Sequence, residues 1–376
     1  MNRITRTYRG AIAALVGAAI MGLAPQAAFA QGSANWQADW KKLTVDAKRE
    51  GELNLILAFG IGGVPRKTLV DFEKLFGVKV NMQTLSSGSI LAPKVLQEQQ
   101  GGVFNYDVIV VSGPFGPNLR DGNALDPIRP ALIRPDVMDN KVWAGGLEAS
   151  FRDKEKQFGF ASVWEEIAHF WVNTNLIKPE EIRVAKDLLK PQLRGKMMFQ
   201  DIRAGSTLAA AVGIRRAHGD DVLKSIFVDT DPQYSRDPRP VLEALIKGQI
   251  IFGLAIIDPI LPEFKAQGLT AHIRKVILQD TRVTSTGNDL WLPKRTPHPN
   301  AAKLFVNWML TKEGQTIYTQ DILTNSRRLD VPAFAPDRAV EPGVKYVAAF
   351  GVESEDAEFP AAVKILTTLL NAAPKK

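Results

Sequence analysis

The sequence predicts an α/β fold of two lobes, each a mostly parallel sheet flanked by helices. Apolar strand-like runs alternate with amphipathic segments along most of the chain, as expected for parallel sheets covered by helices. A second alternating unit is inserted between two parts of the first, so the chain crosses twice between them. Even without its first thirty residues, a chain of 376 residues is too long for one ordinary core. The two crossings would form a hinge.

Residues 1–30 have the composition of a secretory signal peptide. The segment MNRITRTYRG carries only positive charge, AIAALVGAAIMGLA is apolar, and Ala28-Phe29-Ala30 is an A-x-A cleavage site. The apolar run is shorter than the roughly 20 residues of a membrane span, and no comparable run follows it. We therefore expect an exported, soluble mature protein.

Composition excludes several classes of function. The chain has no cysteine, so it can form neither disulfides nor a thiolate metal site, and it has no cysteine for a lipid anchor. The net charge of +7 includes three arginines of the predicted signal peptide, and no block of lysine and arginine is long enough to track phosphates. Nucleic-acid binding is therefore not expected.

The first unit consists of three strands separated by helices. WQADWKKLTVDAKRE predicts an amphipathic helix that stops at Gly51, and ELNLILAF predicts a buried strand. Pro65 to Phe76 predicts a helix, followed by VKVNMQT as a strand. SSGSILAPKVLQEQQ then predicts a turn and a helix, and YDVIVVSG predicts the third strand. This β-α-β-α-β order implies parallel pairing.

The second unit follows a proline-rich connection, NALDPIRPALIRPDVM. QFGFASVWEEIAHFWVN predicts strands that cross into it, KMMFQDIRAGSTLAAAVGIRRAH predicts strand, turn and helix, and VLEALIKGQIIFGLAIIDP predicts helix and strand. Helices return after about Leu290. We predict that lobe 1 comprises residues 31–150 and 285–376, and that lobe 2 comprises residues 151–284.

Metal and catalytic motifs are weak. The four histidines have no spacing that places two ligands on one helix face. For His298, between Pro297 and Pro299, a structural role at the start of a helix is favoured over metal binding; Asn300 is the expected N-cap. No nucleophile elbow occurs, and Pro65 interrupts the dinucleotide-like loop after Gly60. We predict neither catalysis, nor a cofactor, nor a metal site.

Two serine-glycine turns are the strongest binding signal. Ser86-Ser87-Gly88-Ser89 and Gly205-Ser206-Thr207 each stand between a strand and a helix, and Ser112-Gly113 follows a third strand. Free N–H groups at a helix start, together with neighbouring hydroxyls, can hold an anionic or polar ligand. Each turn taken alone is also an ordinary N-cap. Their repetition in two similar units favours ligand binding.

These residues resemble the periplasmic solute-binding proteins of ABC importers, in particular the extracellular solute-binding class with ferric-iron, thiamine and phosphonate binders. The resemblance lies in DFEKLFGVKVNMQTLSSGSILAPKVLQEQ, FNYDVIVVSG, LRGKMMFQDIRAGSTLAAA, VLEALIKGQIIFGLA and TPHPNAAKLFVNWMLTKEGQ. It implies a two-lobe, type II-like periplasmic-binding-protein fold that closes on a ligand. By position, the ligand would contact the first lobe at Gly62, Ser87, Gly88 and Ser89, and the second lobe at Gly205, Ser206 and Thr207.

The same resemblance places ferric iron in doubt. Iron-binding relatives carry two adjacent tyrosines where this chain has Asp258-Pro259-Ile260, and none of its five tyrosines adjoins another. Asp258 either accepts hydrogen bonds from the ligand or forms a turn before Pro259. Arg236 would clamp a carboxylate or phosphonate, or else is a solvated surface arginine. Near the first crossing, Trp164 and Glu165 are further cleft candidates, although Trp164 could instead pack the hinge.

The expected function is therefore capture of a small polar solute, anionic rather than cationic, and its delivery to an ABC permease in the inner membrane. The resemblance implies a periplasmic protein without catalysis, and we expect a monomer. An exported enzyme on the same scaffold and a chemosensory binding protein are the alternatives.

Overall fold

The computed structural model describes residues 35–58, 63–85, 87–112, 115–166, 169–201, 205–258, 260–341, 344, 346–348 and 358–372. The predicted signal peptide and Gly62 lie outside these ranges. The α/β class is confirmed. Two five-stranded sheets are flanked by helices, and a small third sheet connects them.

The first sheet has the strand order β2-β1-β3-β12-β4. β1 pairs in parallel with β2 and β3, whereas β12 is antiparallel to both β3 and β4. The bounds are β1 Glu52–Ala58, β2 Lys79–Leu85, β3 Val108–Val110, β4 Leu125–Asp126 and β12 Leu290–Pro293. The helices that accompany this sheet are α1 Trp36–Glu50, α2 Arg66–Phe76, α3 Gly88–Gln100, α4 Phe115–Asp121, α5 Pro135–Met138, α9 Pro299–Met309 and α10 Lys312–Asp321.

An aromatic cluster forms part of the first core. Phe72 of α2 packs against Phe305 and Trp308 of α9, with ring centroids 5.2 and 5.4 Å apart. Ala301 and Leu304 of the same helix are also buried, so the predicted apolar stripe of α9 is confirmed. α1 ends where Gly51 adopts φ 80°, a left-handed conformation that glycine takes without strain.

The second sheet has the strand order β10-β6-β9-β7-β8. β7 is parallel to β8 and β9, and β6 is antiparallel to β9 and β10. The bounds are β6 Phe170–Asn173, β7 Met197–Gln200, β8 Gln233–Ser235, β9 Phe252–Leu254 and β10 Ile273–Val276. Its helices are α6 Gly205–Lys224, α7 Pro238–Ile246, α8 Leu261–Ala266 and α11 Glu358–Ala372.

Both sheets are more mixed than the sequence predicted. Each has two parallel and two antiparallel pairings, because the first strand after a crossing, β6 or β12, runs opposite to both of its neighbours. The alternation of strands and helices predicts the parallel pairs well. It carries no information on the direction of a strand that arrives from the other lobe.

The crossings form the third sheet. β5 Val163–Glu166 is antiparallel to β11 Val283–Gly287, and β13 Val347–Ala348 is parallel to β11. β5 leads the chain from the first sheet to the second, and β11 returns it. We call β5 and β11 the crossing ribbon. It matches the two crossings expected from the sequence.

The division into lobes stays a prediction, and packing moves its limits. Phe151 and Phe160 belong to the first core, so we propose that the first crossing lies at β5 rather than at 150/151. At the other end of the chain, Leu366 of α11 packs in the second core, although lobe 1 was predicted for this helix. An amphipathic pattern indicates a buried face without naming the surface that covers it.

The segment around His298 has a structural explanation. α9 begins at Pro299 with His298 at the cap position, so the prediction of Asn300 as the N-cap is wrong. Asp107, which is fully buried, accepts from the backbone N–H of His298 at 2.7 Å and lies 2.9 Å from its Nδ1. Asn300 is inside the helix and donates to Glu50 of α1 at 2.7 Å.

None of the helices within the described ranges is both long and apolar enough to cross a membrane.

Candidate ligand-binding site

The carboxyl ends of the parallel strands in the first sheet form one edge next to the crossing ribbon. Ser87 and Ser112 follow β2 and β3 at this edge. β12 starts there too, because its first residue, Leu290, pairs with Val110, the last residue of β3. β11 ends at Gly287, only a few residues before Leu290, so the ribbon enters the sheet at this edge. We call it the first edge.

The second sheet has the same relation to the ribbon. The first residue of β6, Phe170, pairs with Leu254, the last residue of β9. β5 ends at Glu166, so the connection to Phe170 spans at most about 14 Å. The carboxyl ends of β7 and β9 therefore form a second edge that also adjoins the ribbon. Ligands of open α/β sheets bind outside the carboxyl ends of the strands, and here both such edges adjoin the ribbon.

At the first edge, Ser87 is the N-cap of α3. Its Oγ accepts from the backbone N–H of Ser89 at 3.0 Å and lies 2.5 Å from the Oγ of Ser89. Gly88 packs tightly, since a Cβ at this position would lie 2.1 Å from the ring of Phe115. Ser89 is exposed, whereas Ser87 is half-buried. The turn is thus an N-cap, and its hydroxyls lie at the edge where a ligand would bind.

Ser112 connects the first edge to the ribbon. Its Oγ accepts from the backbone N–H of Asn288 at 2.7 Å, one residue after β11. Because the hydroxyl is an acceptor in this bond, its own proton is free to be donated elsewhere.

At the second edge, Thr207 is fully buried, and its hydroxyl donates to the carbonyl of Gln200 at 2.9 Å. This bond ties the first turn of α6 to the end of β7. Gly205 and Ser206 are the first residues of α6, so their backbone N–H groups belong to a helix start at this edge. Thr207 therefore positions that helix start.

Asp258 is held by two neighbouring side chains. One carboxylate oxygen accepts from Lys275 Nζ at 2.8 Å, and the other lies 3.6 Å from Nδ1 of His169. Burial alone would raise the pKa of the Asp258 carboxyl, but His169 and Lys275 together hold this pKa well below its ordinary value. Asp258 is therefore a charged, paired carboxylate at the second edge.

Comparison with known proteins identifies the family of the chain. The family model of bacterial extracellular solute-binding proteins matches residues 67–333. The chain belongs to that family.

Solved structures of low identity have the same fold. A Trichodesmium protein, IdiA or FutA, in complex with iron and citrate is 17% identical, with 85% of this chain and 99% of that chain covered and a TM-score of 0.65. The spermidine/putrescine-binding protein PotD of Streptococcus pneumoniae is 16% identical, with coverage of 85% and 99% and a TM-score of 0.59. AfuA of Actinobacillus pleuropneumoniae with bound fructose-6-phosphate is 19% identical, with coverage of 86% and 99% and a TM-score of 0.57. Among curated proteins, no match is found.

Two other predicted site residues of this solute-binding protein lie at the margin of the second sheet and in the ribbon. Arg236 follows β8, the strand at the margin of the second sheet, and its side chain is exposed. Trp164 is in the crossing ribbon, where its ring lies 4.8 Å from the guanidinium of Arg327 and 6.2 Å from the ring of Tyr346. Trp164 is thus half-buried and packs against the side chains next to the ribbon.

Among the charged residues at the ribbon, Glu165 was a cleft candidate from the sequence, whereas Glu166 and Arg282 were missed. Glu166 and Arg282 form a buried, bidentate ion pair, and Arg282 also donates to Glu341 at 2.9 Å. Burial raises the pKa of Glu165, although Arg338, 3.2 Å away, and Thr324 act in the opposite direction. Two adjacent acidic residues within an apolar strand were the available signal, because buried carboxylates need partners.

Within the described ranges, no three His, Cys, Asp or Glu side chains come together as a metal site would require. Two of the described tyrosines donate their hydroxyls within the protein: Tyr234 to the carbonyl of Phe227 at 2.6 Å, and Tyr106 to Gln83 at 2.9 Å.

Proposed function

We propose that this solute-binding protein captures a small, polar, anionic solute between the first and second edges and delivers it to an ABC permease. The observation that carries the proposal is that both carboxyl edges adjoin the crossing ribbon and that each includes a helix start. A solute bound between them would contact both lobes only when they approach, so it would select the closed form.

The preference for an anion rests on the chemistry of the two helix starts. The N-terminal N–H groups of α3 and α6 supply partial positive charge, and Ser87 and Ser89 add hydroxyls beside the first of them. Asp258 does not oppose this preference strongly, because Lys275 pairs with it. One similar protein binds iron and citrate, another binds fructose-6-phosphate, and a third is named as a spermidine/putrescine-binding protein. The fold by itself therefore does not fix the charge of the solute.

Iron as the cargo is not favoured. Tyr106 and Tyr234 use their hydroxyls within the protein, and Asp258 stands where the sequence resemblance places a tyrosine. A free phenolate pair would be required for the chemistry of the iron binders. We therefore propose an organic or inorganic oxyanion.

The remaining parts of the proposal are supported by membership of the family and by the predicted signal peptide. The protein acts in the periplasm as a monomer after removal of residues 1–30, without catalysis, cofactor or nucleic acid, and the closed form is the state that the permease recognises.

Thermal-shift measurements test the proposal. The purified mature protein is screened with inorganic phosphate, sugar phosphates, phosphonates, di- and tricarboxylates, thiamine phosphates, ferric citrate and spermidine, and native mass spectrometry identifies any co-purified solute. An anion should raise the melting temperature as its concentration rises and be recovered unchanged. Stabilisation by spermidine alone, or conversion of a compound into product, would overturn the proposal.

A pair of variants locates the solute. Replacing Ser87 and Ser89 together by alanine should weaken binding of the stabilising anion at least about tenfold, because a hydrogen bond to a charged group contributes roughly 1.5–3 kcal/mol. Thr316→Ala is the matched control, since Thr316 is a hydroxyl residue in α10 whose side chain donates to its own helix at 2.7 Å. Equal affinities in both variants would exclude the first edge as the site.

A further inference from the structure

His169 occupies a distinctive position at the second edge. It immediately precedes β6, and its backbone carbonyl accepts from the N–H of Ala255, just after β9, at 3.0 Å. The ribbon strand β5 ends three residues earlier, at Glu166. The imidazole is therefore fixed where the ribbon enters the second sheet, beside the proposed cleft.

One atom of this imidazole and one atom of the neighbouring Asp258 carboxylate have no hydrogen-bond partner in the described part of the chain. Nδ1 of His169 and Oδ2 of Asp258 are both sealed from water, yet they lie 3.6 Å apart, which is too far for a hydrogen bond. The His169 side chain is nevertheless 16% exposed. Since Nδ1 is sealed, the exposed part includes the opposite edge of the ring, where Nε2 lies.

We propose that His169 binds the oxyanion of the solute through Nε2–H and that Asp258 positions the imidazole behind it. The ligand class is a carboxylate, phosphate or sulfate group. The inference rests on the proposed function and assigns its second-lobe contact to a residue that the sequence did not indicate.

The arrangement around His169 is suited to an anion. A shift of less than about 1 Å would join Nδ1–H to Oδ2 and give both sealed atoms a partner. Lys275 already holds Oδ1 of Asp258 at 2.8 Å, and its Nζ lies 5.1 Å from the ring of Trp171, which fixes the carboxylate in place. With Nδ1–H directed at Asp258, a protonated imidazole presents Nε2–H as a donor to solvent. Lys275, Asp258 and protonated His169 then carry one net positive charge.

Other ionisable groups face His169 from the ribbon and from the second sheet. Glu165 of the ribbon interacts electrostatically with it, and Arg338 pairs with Glu165 at 3.2 Å. Asp258 and Lys275 face it from the second sheet. Because an anion binds the protonated imidazole, its affinity should fall with rising pH, by up to about tenfold per pH unit. A cation accepted by a neutral Nε2 would show the opposite slope.

The test follows the imidazole signals of the histidines by NMR in the full mature protein while inorganic sulfate is added. Sulfate stays fully ionised between about pH 5.5 and 8.5, so only protein groups titrate in that range. Sulfate should shift the His169 signals, and its affinity should fall with rising pH. Unmoved His169 signals at saturating sulfate or inorganic phosphate, or an affinity that rises with pH, would overturn the inference.

Variants separate the roles. His169→Gln should lose at least about tenfold in sulfate affinity and all of the pH slope, whereas His272→Gln should lose neither, because His272 is near the carbonyl of Ile246 at 3.1 Å. Asp258→Asn should reduce the pH slope while His169 signals still respond to sulfate. Glu165→Gln should leave the slope in place; a slope that disappeared with Glu165 instead would assign the titration to that carboxyl and reject His169. If an anion from the thermal-shift panel binds without moving His169, the proposed function survives and this inference fails.

Discussion

Arg152 and Asp289 form a buried ion pair, with Nε of the arginine 2.9 Å from Oδ2 of the aspartate. Both side chains are almost fully removed from solvent, and a second buried arginine, Arg327, interacts electrostatically with both. Burial lowers the pKa of Arg327 to about 10, and the like charge of Arg152 acts in the same direction. One carboxylate thus balances two cations beneath the ribbon residue Trp164, whose ring lies over Arg327.

We predict that Asp289→Asn destabilises the protein by about 3–5 kcal/mol, because it leaves buried cations without their counter-ion. Asp71→Asn is the control. It breaks a pair with Lys67 that is 2.6 Å long but lies on the surface, where such pairs contribute about 0–1 kcal/mol. Urea unfolding of both variants and the parent measures the difference. Equal losses of stability would contradict a special role for the buried pair.

Gly88→Ala should destabilise the first lobe even though alanine is a better helix former than glycine. The added Cβ would meet the Phe115 ring at 2.1 Å, and such overpacking costs about 1–3 kcal/mol. Gly63→Ala is the matched control, since no atom lies within 4 Å of the Cβ that it would add. The free energies of unfolding decide: a Gly88→Ala protein as stable as the control would mean that Phe115 moves aside without cost.

Glu165 should make the ribbon pH-sensitive. Burial raises the folded-state pKa of this carboxyl above its unfolded value, although Arg338 and Thr324 oppose the shift. A raised pKa means that the folded protein binds the proton more tightly. The stability that this proton provides is present at low pH and is lost as pH rises from the unfolded pKa, about 4.3, through the folded one.

The measurement is urea unfolding at several pH values for the parent and for Glu165→Gln, which cannot titrate. The stability of the parent relative to the variant should decrease as pH rises through this window. A constant difference between the two proteins would show that the pKa of Glu165 is the same folded and unfolded.

Much of the fold follows from local pattern. The apolar runs of β1, β2 and β3 and the stops at Gly51 and Gly77 are encoded in adjacent residues, so the sequence predicts these elements directly. The direction of β12 and the packing of α11 on the second core depend on contacts far apart in the chain, and periodicity carries no record of them.

The same difference between local pattern and distant contacts applies to the residues of the candidate site. Ser87 and Ser112 could be predicted because hydroxyls after a strand are a local signal. Asp258 could be noticed, but its role could not, since Lys275 and His169 reach it from two other strands or loops. His169 itself stands in an apolar run with no neighbouring motif, and only the pairing of β6 with β9 places it at the second edge.

His298 tests the distinction between a structural histidine and a ligand. Asp107 accepts four hydrogen bonds or close polar contacts: from Asn54 N–H at 2.6 Å, from Thr296 Oγ1 at 2.5 Å, and from the backbone N–H and Nδ1 of His298. His298→Ala removes one of these partners and should cost about 1–3 kcal/mol of stability, whereas Asp107→Asn should cost more because several donors lose their charged acceptor at once. Both variants should keep the anion affinity of the parent, since these residues lie at the start of α9 rather than at either edge.

Zinc added to the parent should not raise its melting temperature; stabilisation by zinc that disappears in His298→Ala would instead make His298 a metal ligand.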